Sequence, residues 1–251
     1  MTATAIDAPG AANAAPRRIL DVVMLHSTNP WTTLILPWLI TFAIFGLNFS
    51  IWTLVSRAAG PDLETDAFAN NGGVTWILVY MMVVAIQAMS ASFRFDLGMS
   101  VTRRDYYLGS ALYFAMLSAI YAAGFTALGW IERLTDGWGL GGYFFAPFGS
   151  AAEPLWLHAY AFFVLLLMFF FIGAASAGVW MRWKVSGLLT ELLGIAVILV
   201  GLAWWITEAS AWGSVGSFFT DNSPFVILSW TLPVTVGAGL AGFALLRRAT
   251  P

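Results

Sequence analysis

There is no cysteine among the 251 residues, only one lysine (Lys184), only two histidines (His26 and His158), and only 10% charged residues against about 25% in an ordinary soluble domain. Each scarcity excludes something. Without cysteine there is no disulfide framework, thiolate metal site or sulfur nucleophile. The single lysine follows Trp183 and not glycine, so the phosphate-cradling loop G-x-x-x-x-G-K-[ST] occurs nowhere in the chain. The two histidines share no i, i+3 or i+4 spacing and no paired intramembrane acids accompany them, which leaves no plausible metal-ligand set. A net charge of −2 gives no electrostatic basis for nucleic-acid binding. What is abundant is apolar surface. Sixty per cent of the residues are hydrophobic, 13 are Trp and 20 are Phe, and mean hydropathy is +0.81, as expected of a lipid-facing chain with interfacial aromatic belts.

A membrane-crossing helix needs roughly 20 mostly apolar residues. Six runs qualify: Thr32–Ser56, Val74–Phe93, Tyr106–Ile131, Leu157–Met181, Ser186–Thr207 and Phe225–Leu246. Numbering the connections alternately places Arg17, Arg18, Arg94, Arg103, Arg104, Arg182, Lys184, Arg247 and Arg248 on one side and only Arg57 and Arg133 on the other. Asp62, Glu64, Asp66, Glu132, Asp136, Glu153, Glu208 and Asp221 fall on the arginine-poor side. Basic residues accumulate in cytoplasmic loops. The expected fold is therefore an all-α integral membrane protein with six transmembrane helices and cytoplasmic N- and C-termini, in the cytoplasmic membrane.

Residues 1–15 read as a disordered cytoplasmic tail and residues 16–30 as an amphipathic interfacial helix, ahead of a transmembrane domain over residues 31–248. On a helical projection Ile19, Leu20, Val22, Val23 and Met24 form an apolar arc opposite Arg17, Arg18, Asp21 and Thr28. Such a helix lies in the membrane interface or serves as a loosely amphipathic lead-in to the first span. Arg17-Arg18 is not a twin-arginine export signal, because the apolar stretch behind it is broken at Asn29-Pro30 and then becomes a full span.

Several motifs dissolve on inspection. Gly237–Gly242 fits G-x-G-x-x-G, but it lies within a span with no strand before it; small residues there suit close helix packing. Gly173–Gly178 reads the same way. A Ser176–His158 dyad would need partners about 27 Å apart on one helix. The sequon Asn48-Phe49-Ser50 sits inside a span and is read as a polar packing contact.

Two features can carry function. Glu191 is a carboxylate inside the fifth run, about two turns from its basic end, at a depth where acids are costly. It either reaches Arg182, Lys184 or a neighbouring arginine, or contacts a gate or substrate path. The stretch between the second and third runs is short, basic and studded with apolar residues, and Thr102-Arg103-Arg104-Asp105 fits a capping box that starts the next helix. It is an ordinary basic loop or a docking surface for a soluble partner.

Six spans, inward termini, the lead-in helix and the segment FRFDLGMSVTRRDYYLGS over Phe93–Ser110 resemble the membrane subunits of bacterial ABC-type exporters, in the group that includes drug and antimicrobial-peptide exporters. That resemblance implies a permease without enzymatic activity or cofactor of its own. It pairs with a second permease copy or homologous permease and with ABC ATPase subunits that bind the ATP. It also implies that the loop couples to the ATPase through Arg94, Phe95, Asp96, Leu97, Gly98, Met99, Ser100, Arg103, Arg104 and Asp105, and that Glu208–Pro224 forms short, partly inserted helices. The cargo would be an amphipathic or hydrophobic molecule in a cavity lined by Phe, Trp, Met and small residues. The competing reading is a stand-alone polytopic membrane protein, either an interaction or immunity factor or a small intramembrane enzyme. The long Gly- and aromatic-rich loop Leu134–Pro154 departs from the exporter family's pattern, and the sequence assigns it no role.

Overall fold

The computed structural model describes residues 11–60, 67–98 and 102–248, and among them every regular element is helical. The helices are α1 (Ala11–Ser27), α2 (Leu36–Ala59), α3 (Trp76–Gly98), α4 (Arg103–Leu134), α5 (Leu155–Glu208), α6 (Trp212–Asp221), α7 (Pro224–Ser229) and α8 (Thr231–Arg248). Five helical segments are long and apolar enough to cross a membrane: Trp31–Ala59, Gly73–Ala91, Arg103–Leu134, Leu155–Glu208 and Pro224–Arg247. This is a multi-pass helical membrane protein.

At 54 residues, α5 would be about 81 Å long if straight, far more than the roughly 30 Å of a bilayer core. It is not straight. Lys184, with φ 55° and ψ −140°, is non-helical. Beyond it the chain doubles back, for Ser176 and Glu191, fifteen residues apart, are hydrogen-bonded at 2.8 Å. Gly187 makes the close return possible: a Cβ there would lie 2.6 Å from Trp183 Cβ and 3.0 Å from Val179 Cγ1. The two arms, Leu155–Trp183 and Val185–Glu208, correspond to the fourth and fifth apolar runs.

The core lies among α3, α4 and the first arm of α5, with α8 along that arm. It is aromatic: Tyr106, Phe114, Tyr121, Phe125, Phe144, Phe145 and Phe170 are all fully buried, and Phe114 stacks on Phe170 with ring centres 4.9 Å apart. Glycine and alanine let backbones meet. A Cβ on Gly173 would strike the Met82 carbonyl of α3, and one on Gly242 of α8 would sit 3.3 Å from the Ala175 backbone. Both G-rich stretches are thus packing seams. Asn48 likewise accepts from Asn71 Nδ2 at 2.8 Å, a polar contact between elements.

The apolar arc of α1 is divided. Val22 and Val23 are buried while Leu20 and Met24 are half or more exposed, and Val22 sits so close to Gly109 of α4 that no side chain fits there. The helix also begins at Ala11, five residues before the expected Pro16 boundary. Residues 1–10 of the expected tail lie outside the described residues.

Candidate functional site

Arg103 and Arg104 start α4 at the end of the bundle where Arg247 lies in the last turn of α8. Thr102, extended at φ −73° and ψ 150°, caps α4 by accepting from Asp105 N at 3.1 Å, which satisfies one of the free N–H groups of the first turn. Asp105 is buried in that turn, at the positive end of the helix dipole. Arg103 donates to the carbonyl of Arg247 at the end of α8, and Arg104 is exposed. Two tyrosines of the next turn complete the clamp. Tyr106 donates to Met89 O of α3 at 3.1 Å, and Tyr107 donates to Gly239 O of α8 at 2.6 Å. The base of α4 is therefore tied to α3 and α8 together.

Part of the stretch expected to be a loop is helix. Arg94, Phe95, Asp96, Leu97 and Gly98 are not loop residues; they prolong α3 as helix, because alternating charge ends a hydrophobic run without ending a helix. Met99 and Ser100 lie outside the described residues. Of the ten residues that the resemblance implies, only Arg103, Arg104 and Asp105 stand at the start of α4.

The same end holds the α5 hairpin. Gly178 faces Leu245 of α8, Arg182 lies over the Trp183 ring at 4.6 Å and the Lys184 ammonium stands 5.8 Å from the Trp180 ring. Glu191 does not reach Arg182 or Lys184 among the described contacts; it accepts from Ser176 across the hairpin. Two turns of helix bring the acid opposite a hydroxyl instead of a cation, since Lys184 occupies the reversal itself. His158 is remote from Ser176. Its Nε2 meets Phe145 O at 3.0 Å and its Nδ1 meets Thr126 Oγ1 at 3.3 Å.

Two further polar sites had no sequence signal. His26 of α1 hydrogen-bonds Ser110 at 2.9 Å and stacks on Tyr113, ring centres 5.3 Å apart. Removal from water among those rings pushes its pKa down to about 4. At the opposite end, Glu132 is fully buried and its carboxylate accepts four hydrogen bonds, from Trp138 Nε1 at 2.7 Å, Phe144 N at 2.8 Å, Phe145 N at 2.8 Å and Ala146 N at 2.9 Å. Glu132 thereby straps the Leu134–Pro154 loop into the bundle, with Phe144 and Phe145 inserted against Phe45 of α2. The tight path of that loop uses positive φ at Gly137 and Gly139.

No group of three or more His, Asp or Glu side chains among the described residues could hold a metal; two serine hydroxyls do meet basic groups, Ser110 beside His26 and Ser176 on Glu191. What the hydrogen bonds establish is a clamp of the base of α4 on α3 and α8. No protein-family model, curated protein or solved structure matches this chain.

Proposed function

We propose that this chain is the permease subunit of an ATP-driven exporter in the cytoplasmic membrane, working with a separate ATPase and a second permease. The observation that carries the reading is the clamp at the base of α4. Arg103, Tyr106 and Tyr107 reach α8 and α3, so a push on the arginine-bearing helix start moves three helices together. A coupling surface requires that property, and rigid-body rocking of packed helices is how such a push becomes a conformational change.

Six crossings with both termini on the basic side follow when the Lys184 reversal is counted as a turn at the membrane surface. Pairing is supported by the second α5 arm. Leu192, Leu193, Val197, Ile198, Leu199, Val200, Trp204 and Trp205 are all exposed, an apolar helix surface that the other described residues leave uncovered and that a second permease would cover in part.

The test is affinity purification of the full chain from its native membrane in mild detergent, with mass spectrometry of whatever accompanies it in near-equal amount. A P-loop ATPase is expected, and it is expected to be lost from the double variant Arg103→Glu, Arg104→Glu. Recovery of this chain alone, where a known transporter complex survives the same procedure, would sink the reading in favour of a stand-alone membrane protein.

A further inference from the structure

The cleft at the apex of the α5 hairpin measures about 360 Å³ and is lined by Val179, Trp183, Ser186, Gly187, Thr190 and Glu191. Its hydroxyls and its carboxylate face a ligand as acceptors, beside the one indole N–H of Trp183. Ser176 spends its proton on Glu191, Ser186 Oγ donates to Trp183 O and Thr190 Oγ1 donates to Ser186 O, each at 2.8 Å. Every hydroxyl proton at the cleft is therefore committed inward, and a carboxylate with two hydroxyl oxygens remains to receive donors. A ligand that satisfies this set carries N–H groups and positive charge.

The surroundings narrow the ligand further. Arg182 lies over the ring of Trp183, a lining residue, and the Lys184 ammonium lies by Trp180 on the same turn, so cationic groups stand at the apex outside the cleft and a zwitterion suits the site better than a simple cation. Further along the second arm, Leu193, Val197, Val200 and Trp204 border an apolar groove of about 430 Å³. This groove is rotated by about 80° about the helix axis from the cleft, so the two adjoin on one side of the arm. A mostly apolar cleft that carries a carboxylate and two hydroxyls, with an apolar groove behind it, fits a lipid.

We propose that the hairpin apex is a binding site for a phospholipid with a primary-ammonium headgroup. The ammonium sits on Glu191 and the hydroxyl oxygens of Ser186 and Thr190, the phosphate lies toward Arg182 and Lys184, and an acyl chain follows the groove of the second arm. The site rests on the hairpin geometry and not on the ATPase pairing, so it stands or falls by itself.

The test uses the full chain reconstituted in nanodiscs of equal parts phosphatidylethanolamine, phosphatidylcholine and phosphatidylglycerol, with the lipid retained after detergent extraction identified by native mass spectrometry. Phosphatidylcholine keeps the charges but has no N–H donor, and phosphatidylglycerol lacks the ammonium. Retention of phosphatidylethanolamine at least fivefold over both is expected. The variant Glu191→Gln keeps an oxygen for Ser176 and is expected to abolish that preference at unchanged melting temperature. Should Glu191→Gln fail to fold, the exposed double variant Ser186→Ala, Thr190→Val supplies the same reading with a severalfold loss. Equal retention of the ethanolamine and choline lipids, preference for phosphatidylglycerol, or a preference that survives these changes would overturn the proposal.

Discussion

The Oε2 atom of Glu132 and the backbone N–H of Phe145 stand 2.8 Å apart across thirteen residues of chain, and with three more donors on the same carboxylate they hold the Leu134–Pro154 loop in the bundle. Hydrogen bonds to a charged group contribute about 1.5–3 kcal/mol each when partners are removed singly. Glu132→Gln turns an amide NH2 toward those donors, and a loss of about 2–4 kcal/mol is expected. Thermal unfolding in detergent would read this as a clear drop in Tm; an unchanged Tm would show the strap to be dispensable.

Lys184 sits at φ 55° and ψ −140°, a region where a side chain is strained and glycine is not. Lys184→Gly is expected to stabilise the hairpin by about 1 kcal/mol. Lys184→Pro, whose ring fixes φ near −65°, is expected to straighten or break it. Spin labels at exposed Trp183 and Leu189 would report the separation of the arms in both variants, and equal behaviour of the two would contradict a reversal made at this residue.

Gly173 meets the Met82 carbonyl of α3, a backbone atom that cannot swing aside. Gly173→Ala is expected to cost about 1–3 kcal/mol by overpacking, while Gly194→Ala, where nothing lies within 4 Å, is expected to be neutral or slightly stabilising. Chemical denaturation of the two variants side by side distinguishes a packing seam from a helix-propensity effect.

His26 is neutral at pH 7, with a folded-state pKa of about 4 against about 6.5 when unfolded. Between those values the unfolded chain binds more protons than the folded one, so stability rises with pH. The contribution is complete above about pH 6.5 and is lost progressively as pH falls toward 4. Melting temperatures of the wild type and His26→Gln, measured from pH 7.5 to 4, should converge toward the acid end. Parallel curves would mean that α1 docks without regard to this group.

Much of the architecture is legible because hydropathy and charge act locally. Arg182 and Lys184 divide a 54-residue apolar helix at the place where the backbone reverses, and Thr102 marks the start of α4 through its own hydroxyl. The end of α3 was less legible, since Arg94 and Asp96 interrupt the apolar run while the helix continues to Gly98. The polar sites were hidden for a different reason. Glu132 binds backbone N–H groups of a loop twelve to fourteen residues downstream, and backbone donors are the same whatever side chains they carry. Ser176 finds Glu191 only because the hairpin closes at a particular angle, and Tyr107 reaches the Gly239 carbonyl only after α8 has packed.

The single-residue reversal at Lys184 also sets a condition on insertion. The arms Leu155–Trp183 and Val185–Glu208 are joined through one non-helical residue, so if both cross the bilayer they are expected to enter it as one unit. Glu191 would then leave water with Ser176 already opposite it, and a hydrogen-bonded carboxylate costs less to insert than a lone one, whose penalty reaches about 2.5–3.5 kcal/mol at a helix centre.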